Sequence, residues 1–334
     1  MSSLSPLVET FSLHVLSFSL LTFLFLIFLI KWLFLNPSSS KNLPPSPPKL
    51  PIIGNFHQLG FLPHRSLLPL SQRHGPLMLL HLGTVPTLIV SSADAAREIM
   101  KTNDLIFANR PKSHVAEKLL YNSKDVSVAP YGEYWRQLKS ICVLQLLSNR
   151  RVQSFAALRE EETALMMKKI GDLSSSTPVD LSEMFTSITN DVVCRVAFGR
   201  KYSEGESGKR VRELLRELLV LLGSLNFGDF FPWLSWINRI NGFDSKLDKV
   251  AKEIDDFLEG VLQDHMDRLE MESGRKKVHG EGREDFVDTL LKIQKEDVTG
   301  ISIDRDSIKA ILLVEHTLSL YHFSHYIIAN NKLI

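Results

Sequence analysis

A mainly α-helical fold of the α+β class, with one small β-hairpin, is predicted by three observations. From Tyr131 onward, apolar residues recur at helical spacing. The clearest run is Gly242 to Glu270, where Leu247, Val250, Ile254, Phe257 and Val261 share one face and charges fill the other. Only Leu77 to Leu82 and Thr87 to Val90 read as strands, two short apolar runs around Gly83-Thr84-Val85-Pro86. Ahead of both, Thr10 to Ile30 carries no formal charge and is dominated by Leu, Phe and Ile, as a single transmembrane helix of about 20 residues requires.

Taken in order, residues 1–36 are the expected membrane anchor. Lys31, Lys41 and Lys49 follow the apolar run, whereas Glu9 is the sole charged side chain before it. Positive charge prefers the cytosolic side, so the C-terminal bulk is expected in the cytosol. A cleaved signal peptide fits less well: no Lys or Arg precedes the core, the core is long, and no A-x-A site follows. Residues 37–55 form a hinge. Ser38 to Ser40 is a flexible connector, and Pro44-Pro45-Ser46-Pro47-Pro48-Lys49-Leu50-Pro51 favours a stiff strut. Such a strut holds a domain at a fixed angle to the bilayer; the other reading is a ligand for a proline-binding domain.

Residues 56–313 are the main domain. Ser66 to His74 reads as a helix ending at Gly75-Pro76, and Ser92-Ala93-Asp94 opens another through about Lys101. Leu105 to Val128 lacks periodicity and contains Pro111, so a long loop with one helical turn is expected, and loops of that length are usually functional. Arg150 to Lys169, Leu181 to Phe198, Arg210 to Leu222 and Glu284 to Lys295 each suit one helix, and a last one starts at Ser307 or Ile308 after the start signals of Ser302 to Asp306. Phe227 to Trp236 is aromatic, suited equally to plugging a core and to dipping into a bilayer surface. Met271 to Glu284 is polar and reads as a flexible loop.

Composition narrows the function classes. The 334 residues carry a net charge of +1, so no nucleic acid or other polyanion partner is implied. Two cysteines provide neither a disulfide framework nor a zinc pattern.

Chemistry concentrates in Tyr131-Gly132-Glu133-Tyr134-Trp135-Arg136-Gln137-Leu138-Lys139. Trp135 and Lys139 are four apart and share a helix face. An indole N–H beside an ammonium can hold a carboxylate, such as a haem propionate. The plainer reading of Trp135 is core packing. Cys142, between Ile141 and Val143, and Cys194, in Asp191-Val192-Val193-Cys194-Arg195, read as small buried residues rather than iron ligands.

Phe107-Ala108-Asn109-Arg110-Pro111, the loop after it, the Tyr131 to Lys139 segment and the proline strut together resemble the microsomal, plant-type cytochrome P450 family of haem-thiolate monooxygenases. Leu50 to Asn55, Ala129 to Leu147, Asn190 to Arg200 and Asp285 to Leu291 are similar to its proline hinge and its C, E and H helix regions. The resemblance runs from residue 1 to about Leu313. It implies the P450 fold, a haem cofactor contacted at its propionates by Trp135 and Lys139, a small apolar substrate, NADPH-cytochrome P450 reductase as electron donor, and residence in the endoplasmic reticulum membrane. It also makes Pro111 to Val128 a substrate-recognition region, with His114 a candidate polar contact to haem or substrate, beside its reading as a plain loop histidine.

The sequence departs from that pattern in two places. The family's Phe-x-x-Gly-x-Arg-x-Cys-x-Gly loop has no match, and where Ala-Gly-x-Asp/Glu-Thr is expected the chain reads Val314-Glu315-His316-Thr317-Leu318-Ser319. Residues 314–334 are therefore a divergent tail, read as a read-through or mis-spliced end. His316, His322 and His325 within it have no recognised metal-ligand spacing. The expectation is an incomplete P450 fold without catalytic residues or a metal ligand, inactive as written. The alternatives are a non-enzymatic membrane-bound interaction module and a fragment of an active monooxygenase.

Overall fold

A computed structural model describes residues 5–34, 43–60, 62–173, 178–202, 205–273, 284–296 and 303–314. The expected connector at Ser38 to Ser40, most of the Met271 to Glu284 loop, and His316, His322 and His325 lie outside the described residues. The chain divides into two compact units, Met1–Asn103 and Asp104–Ile334.

In the first unit, α1 spans Ser5–Phe34. His14–Leu29 is its apolar stretch, and among the described residues no single helix is long and apolar enough to cross a membrane. The proline segment that follows is held by Asn55 together with Gln58, whose Nε2 donates to the Pro48 carbonyl at 2.8 Å. Asn55, fully buried, donates from Nδ2 to the carbonyls of Pro47 (3.4 Å) and Pro48 (3.3 Å) and accepts the His81 amide at Oδ1 (2.8 Å). Its own amide donates to the His81 carbonyl at 2.7 Å. Gly54 makes this approach possible: its φ is +62°, and a Cβ there would stand 2.1 Å from the His81 carbonyl oxygen.

Helix α2, Pro63–His74, begins three residues before the expected Ser66 because Pro63 is preorganised for a first turn. β1 (Leu77–Leu82) and β2 (Val85–Val90) pair antiparallel from Leu77↔Val90 to Leu82↔Val85, the expected hairpin. Met78 and Leu80 alternate onto its buried face. Helix α3, Ala93–Arg97, is capped by the Ser92 hydroxyl and widens into a π turn over Glu98–Thr102.

The regular elements described in the second unit are all helices, joined by loops. It contains α4 (Asp104–Phe107), α5 (His114–Leu119), α6 (Glu133–Ile141, widening into a π turn over Cys142–Leu146), α7 (Asn149–Ser154) and α8 (Ala156–Asp172). Next come α9 (Leu181–Phe198), α10 (Gly205–Leu222), α11 (Phe227–Phe230), α12 (Ile237–Ile240), α13 (Phe243–Ser273), α14 (Phe286–Glu296) and α15, over residues 305–314. The core lies where Leu247, Ile254 and Leu258 of α13 meet Leu218 of α10, Leu119 of α5 and Ile308, Ile311 and Leu312 of α15. Each side chain so buried contributes roughly 1.5–3 kcal/mol.

One expected helix is divided by a distant partner. Arg150 to Lys169 is not one helix: it breaks at Phe155, which leaves helical geometry (ψ 12°) to bury its ring edge-on against Phe286, 6.1 Å between centroids. The loop over Leu105 to Val128, expected with one helical turn, holds the short capped helix α5, whose Ser113 hydroxyl accepts the Ala116 amide, after the single turn of α4.

A buried ionic cluster joins three elements. Asp285 and Asp288 cap α14 reciprocally: Asp285 Oδ1 accepts the Asp288 amide at 2.9 Å and Asp288 Oδ2 accepts the Asp285 amide at 3.3 Å. His265 of α13 lies 2.9 Å from Asp285 Oδ2, and Arg268 lies 2.7 Å from Asp288 Oδ1. Gly199, at the α9 C-terminus, sits against the same carboxylate; a Cβ there would be 2.5 Å from Asp285 Oδ2.

Candidate functional site

The Tyr131 to Lys139 segment forms the first two turns of α6 and the approach to them. Gly132 precedes the helix in extended geometry (φ 179°), aiming Trp135 back over the loop before it. Trp135 Nε1 donates to the Val126 carbonyl at 2.9 Å. Lys139 Nζ lies over the indole, 4.7 Å from its centroid, and the Tyr131 ring tilts against it at 5.5 Å. Arg136 in turn stands over Tyr131 at 5.6 Å. The structure thus brings the two sequence-predicted residues together on one face, with the N–H directed at a backbone carbonyl.

That carbonyl is held in place by its neighbours. Asp125, fully buried, accepts the amide (2.6 Å) and hydroxyl (2.5 Å) of Ser127, and its own carbonyl accepts the Ala129 amide at 2.9 Å. Burial raises the Asp125 carboxyl above the ordinary carboxylate range, against those hydrogen bonds. Arg110 donates to the Ser127 carbonyl at 3.2 Å, and Asn109 Oδ1 accepts the Tyr131 amide at 3.0 Å. Asn109 and Arg110 therefore close the loop at its base, a role that their sequence context alone did not reveal.

The loop's outer half docks on α13 and α15. Tyr121, Asn122 and Ser123 all adopt positive φ (50°, 59° and 59°). Tyr121 donates its phenol to Asp255 at 3.0 Å, and Lys309 Nζ contacts the same carboxylate at 2.5 Å and Glu259 at 2.9 Å. Tyr134 of α6 donates to the Lys124 carbonyl at 2.6 Å and lies 3.0 Å from Ser307 Oγ. Burial lifts the phenols of both Tyr121 and Tyr134 above their ordinary value. His114 is engaged elsewhere: its Nε2 lies 2.8 Å from Asp244 Oδ1 and its amide donates to Asp229 at 3.1 Å.

Both cysteines belong to the core. Cys142 is 4 % exposed and Cys194 is fully buried. Burial, then the nearby Asp191, pushes the Cys194 thiol up to about 12, so it stays protonated at neutral pH. The aromatic stretch divides: Phe231 is buried, whereas Phe227, Trp233 and Trp236 are each more than half exposed.

The family model for cytochrome P450 matches residues 44–314 of this chain. The chain belongs to the cytochrome P450 family. It is 58% identical over 306 residues to a cytochrome P450, 736A117, of Prunus mume, covering 90% of this chain and 58% of that protein. It is 50% identical over 300 residues to norfluorocurarine oxidase of a Strychnos species, covering 89% and 59%. The chain thus spans a little under three-fifths of the length of these relatives. A zebrafish cytochrome P450 solved with abiraterone shares the fold at a TM-score of 0.61 and 19% identity, covering 80% of this chain and 57% of that one. Membership makes haem the family's cofactor and monooxygenation its chemistry. The helical fold with one small hairpin agrees with that expected from the sequence.

Proposed function

We propose that this chain carries the membrane-proximal and propionate-holding part of a haem-dependent monooxygenase of small apolar substrates. The observation that supports it is the Trp135–Lys139 pair, an indole N–H and an ammonium on one turn of α6. A propionate would take the indole N–H from the Val126 carbonyl and draw Lys139 off the ring face. The lysine gives the charge without the fork of an arginine, so its grip is looser.

The acidic edge of haem fits this donor set; the axial position does not. Cys142 and Cys194 are packed into the core, and the Cys194 thiol, held protonated by its burial, is a poor ligand for iron. Neither supplies the thiolate in this reading, and the chain by itself is inactive. Bound haem would supply the oxygen chemistry. The residues present here would orient it through Trp135 and Lys139 and wall the substrate with the loop over residues 111–128. The apolar stretch His14–Leu29 would anchor the chain in the endoplasmic reticulum membrane, and the exposed Phe227, Trp233 and Trp236 would suit contact with a bilayer surface. NADPH-cytochrome P450 reductase would be the electron source.

A reduced, carbon-monoxide-treated spectrum of the purified chain tests the reading. No thiolate-ligated haem signal is expected. Its appearance would show that one of the two thiols reaches iron and would overturn the inactive assignment.

A further inference from the structure

The geometry points to a second binding site, away from α6: a cavity at the starts of α5 and α13 and along the segment from α11 to α12, which takes a neutral pyranose sugar. Its volume is about 370 Å³, the size of a small-molecule pocket. The lining is unlike that of an apolar pocket. Trp236 is its one tryptophan, and among the described residues no aliphatic side chain joins it. His114, Asp229, Ser235, Asn238, Arg239 and Asp244 present polar groups instead.

Asn226 makes the floor rigid. Buried, it accepts the Asn238 side-chain amide (2.9 Å) and the Gly228 backbone amide (3.0 Å) at Oδ1, and it donates from Nδ2 to Asp229 Oδ1 at 3.1 Å. Asp229 Oδ1 also accepts the His114 backbone amide at 3.1 Å, and Asp244 Oδ1 lies 2.8 Å from His114 Nε2. These bonds leave three acceptors, Asp229 Oδ2, Asp244 Oδ2 and Asn238 Oδ1, without a partner among the described residues. None of the three is among the buried side-chain atoms that lack a partner, so a guest can reach them. The Ser235 hydroxyl and the Arg239 guanidinium stand beside them as donors, both on exposed residues.

The mixture of groups disfavours simpler guests. An anion would meet two carboxylates beside the Arg239 guanidinium. A bare cation would meet that guanidinium, and both carboxylates already face donors from His114 or Asn226. A metal ion needs ligand atoms closer together: among the described residues only His265, Asp285 and Asp288 bring them within 4.8 Å of one another. An apolar guest would cover these polar groups and leave them unpaired. A sugar hydroxyl both donates and accepts, so it matches acceptors and donors set side by side. The C–H face of a pyranose offers the apolar surface that an indole takes, and Trp236, 55% exposed, is open to receive it.

The probe is methyl β-D-glucopyranoside, added to the full chain in phospholipid nanodiscs. Two controls accompany it: 2-methoxytetrahydropyran, the same ring without hydroxyls, and tetramethylammonium, a cation without them. The readout is saturation-transfer NMR titrated to a plateau. Saturable transfer is expected to the glucoside and to neither control. Trp236→Ala removes the stacking surface and should weaken binding about tenfold or more. Arg239→Gln removes a charged donor and should weaken it by a similar factor. Both residues are exposed, so the melting midpoint should match the parent chain, and either variant alone suffices if the other does not melt cooperatively. No saturable transfer, equal transfer to the hydroxyl-free ring, undiminished binding in the variants, or tighter binding of tetramethylammonium would each overturn the proposal, the last by making Trp236 and the two carboxylates a cation cage.

Discussion

Trp135 points its one polar atom at the carbonyl of Val126, 2.9 Å away, and so ties α6 to the loop that precedes it. Trp135→Phe keeps the ring and removes the donor, leaving a half-buried carbonyl without its partner. A loss of about 1 kcal/mol is expected. Faster hydrogen exchange at the Ser127 and Ala129 amides, which the same turn protects, checks it. Lys139→Gln should cost less, about 0.5 kcal/mol, because the cation over the indole is exposed to solvent.

His265 makes stability depend on pH. Burial alone would lower its pKa, but the hydrogen bond and charge of Asp285 outweigh it and raise the pKa above the ordinary 6.5. The protonated ring is therefore favoured in the fold. Its stabilisation is complete below about pH 6.5 and is lost as pH rises through the folded value. Chemical denaturation across that window should show stability falling with pH, and His265→Gln should flatten the slope.

Gly199 admits no side chain. Its φ is +72°, and a Cβ would meet Asp285 Oδ2 at 2.5 Å. Gly199→Ala combines left-handed strain with displacement of the carboxylate that caps α14, and about 2–3 kcal/mol of destabilisation is expected. Thermal melting measures it. The His265 pH slope should shrink in the same variant, because the ring loses its partner.

Asn55 braces the Pro47 and Pro48 carbonyls and the His81 amide together, with Gln58 as a second donor to Pro48. Asn55→Ala should release the proline segment at a cost of about 2 kcal/mol. Limited proteolysis between Leu43 and Ile53 should then run faster than in the parent chain.

Much of this organisation could be read from the residues because it is local. The Leu77–Leu82 hairpin, the cap at Ser92 and the Leu181–Phe198 helix depend on period, punctuation and capping, and the structure has them within a few residues of expectation. The pairing of Trp135 with Lys139 followed from their separation of four. What the sequence hid depends on distant partners. Phe155 breaks a periodic run because Phe286 receives its ring. Asp285 could be seen as a helix start, but its bond to His265 crosses 20 residues. The roles of Asn109 and Arg110 appear only once Tyr131 and Ser127 lie beside them.

The run Tyr121-Asn122-Ser123, left-handed at every residue, reverses the usual preference for chirality over one bend. Mirror-image residues would sit there with less strain than the natural ones, and achiral glycine would be nearly harmless where elsewhere it weakens a fold. L-residues enter this shape reluctantly, so the bend depends on the anchoring of Tyr121 at Asp255 and is not a preference of its own sequence. The loop that faces the site is thus shaped from outside, by α13, and a change at Asp255 would be felt at Val126 without touching either end of the hydrogen bond there.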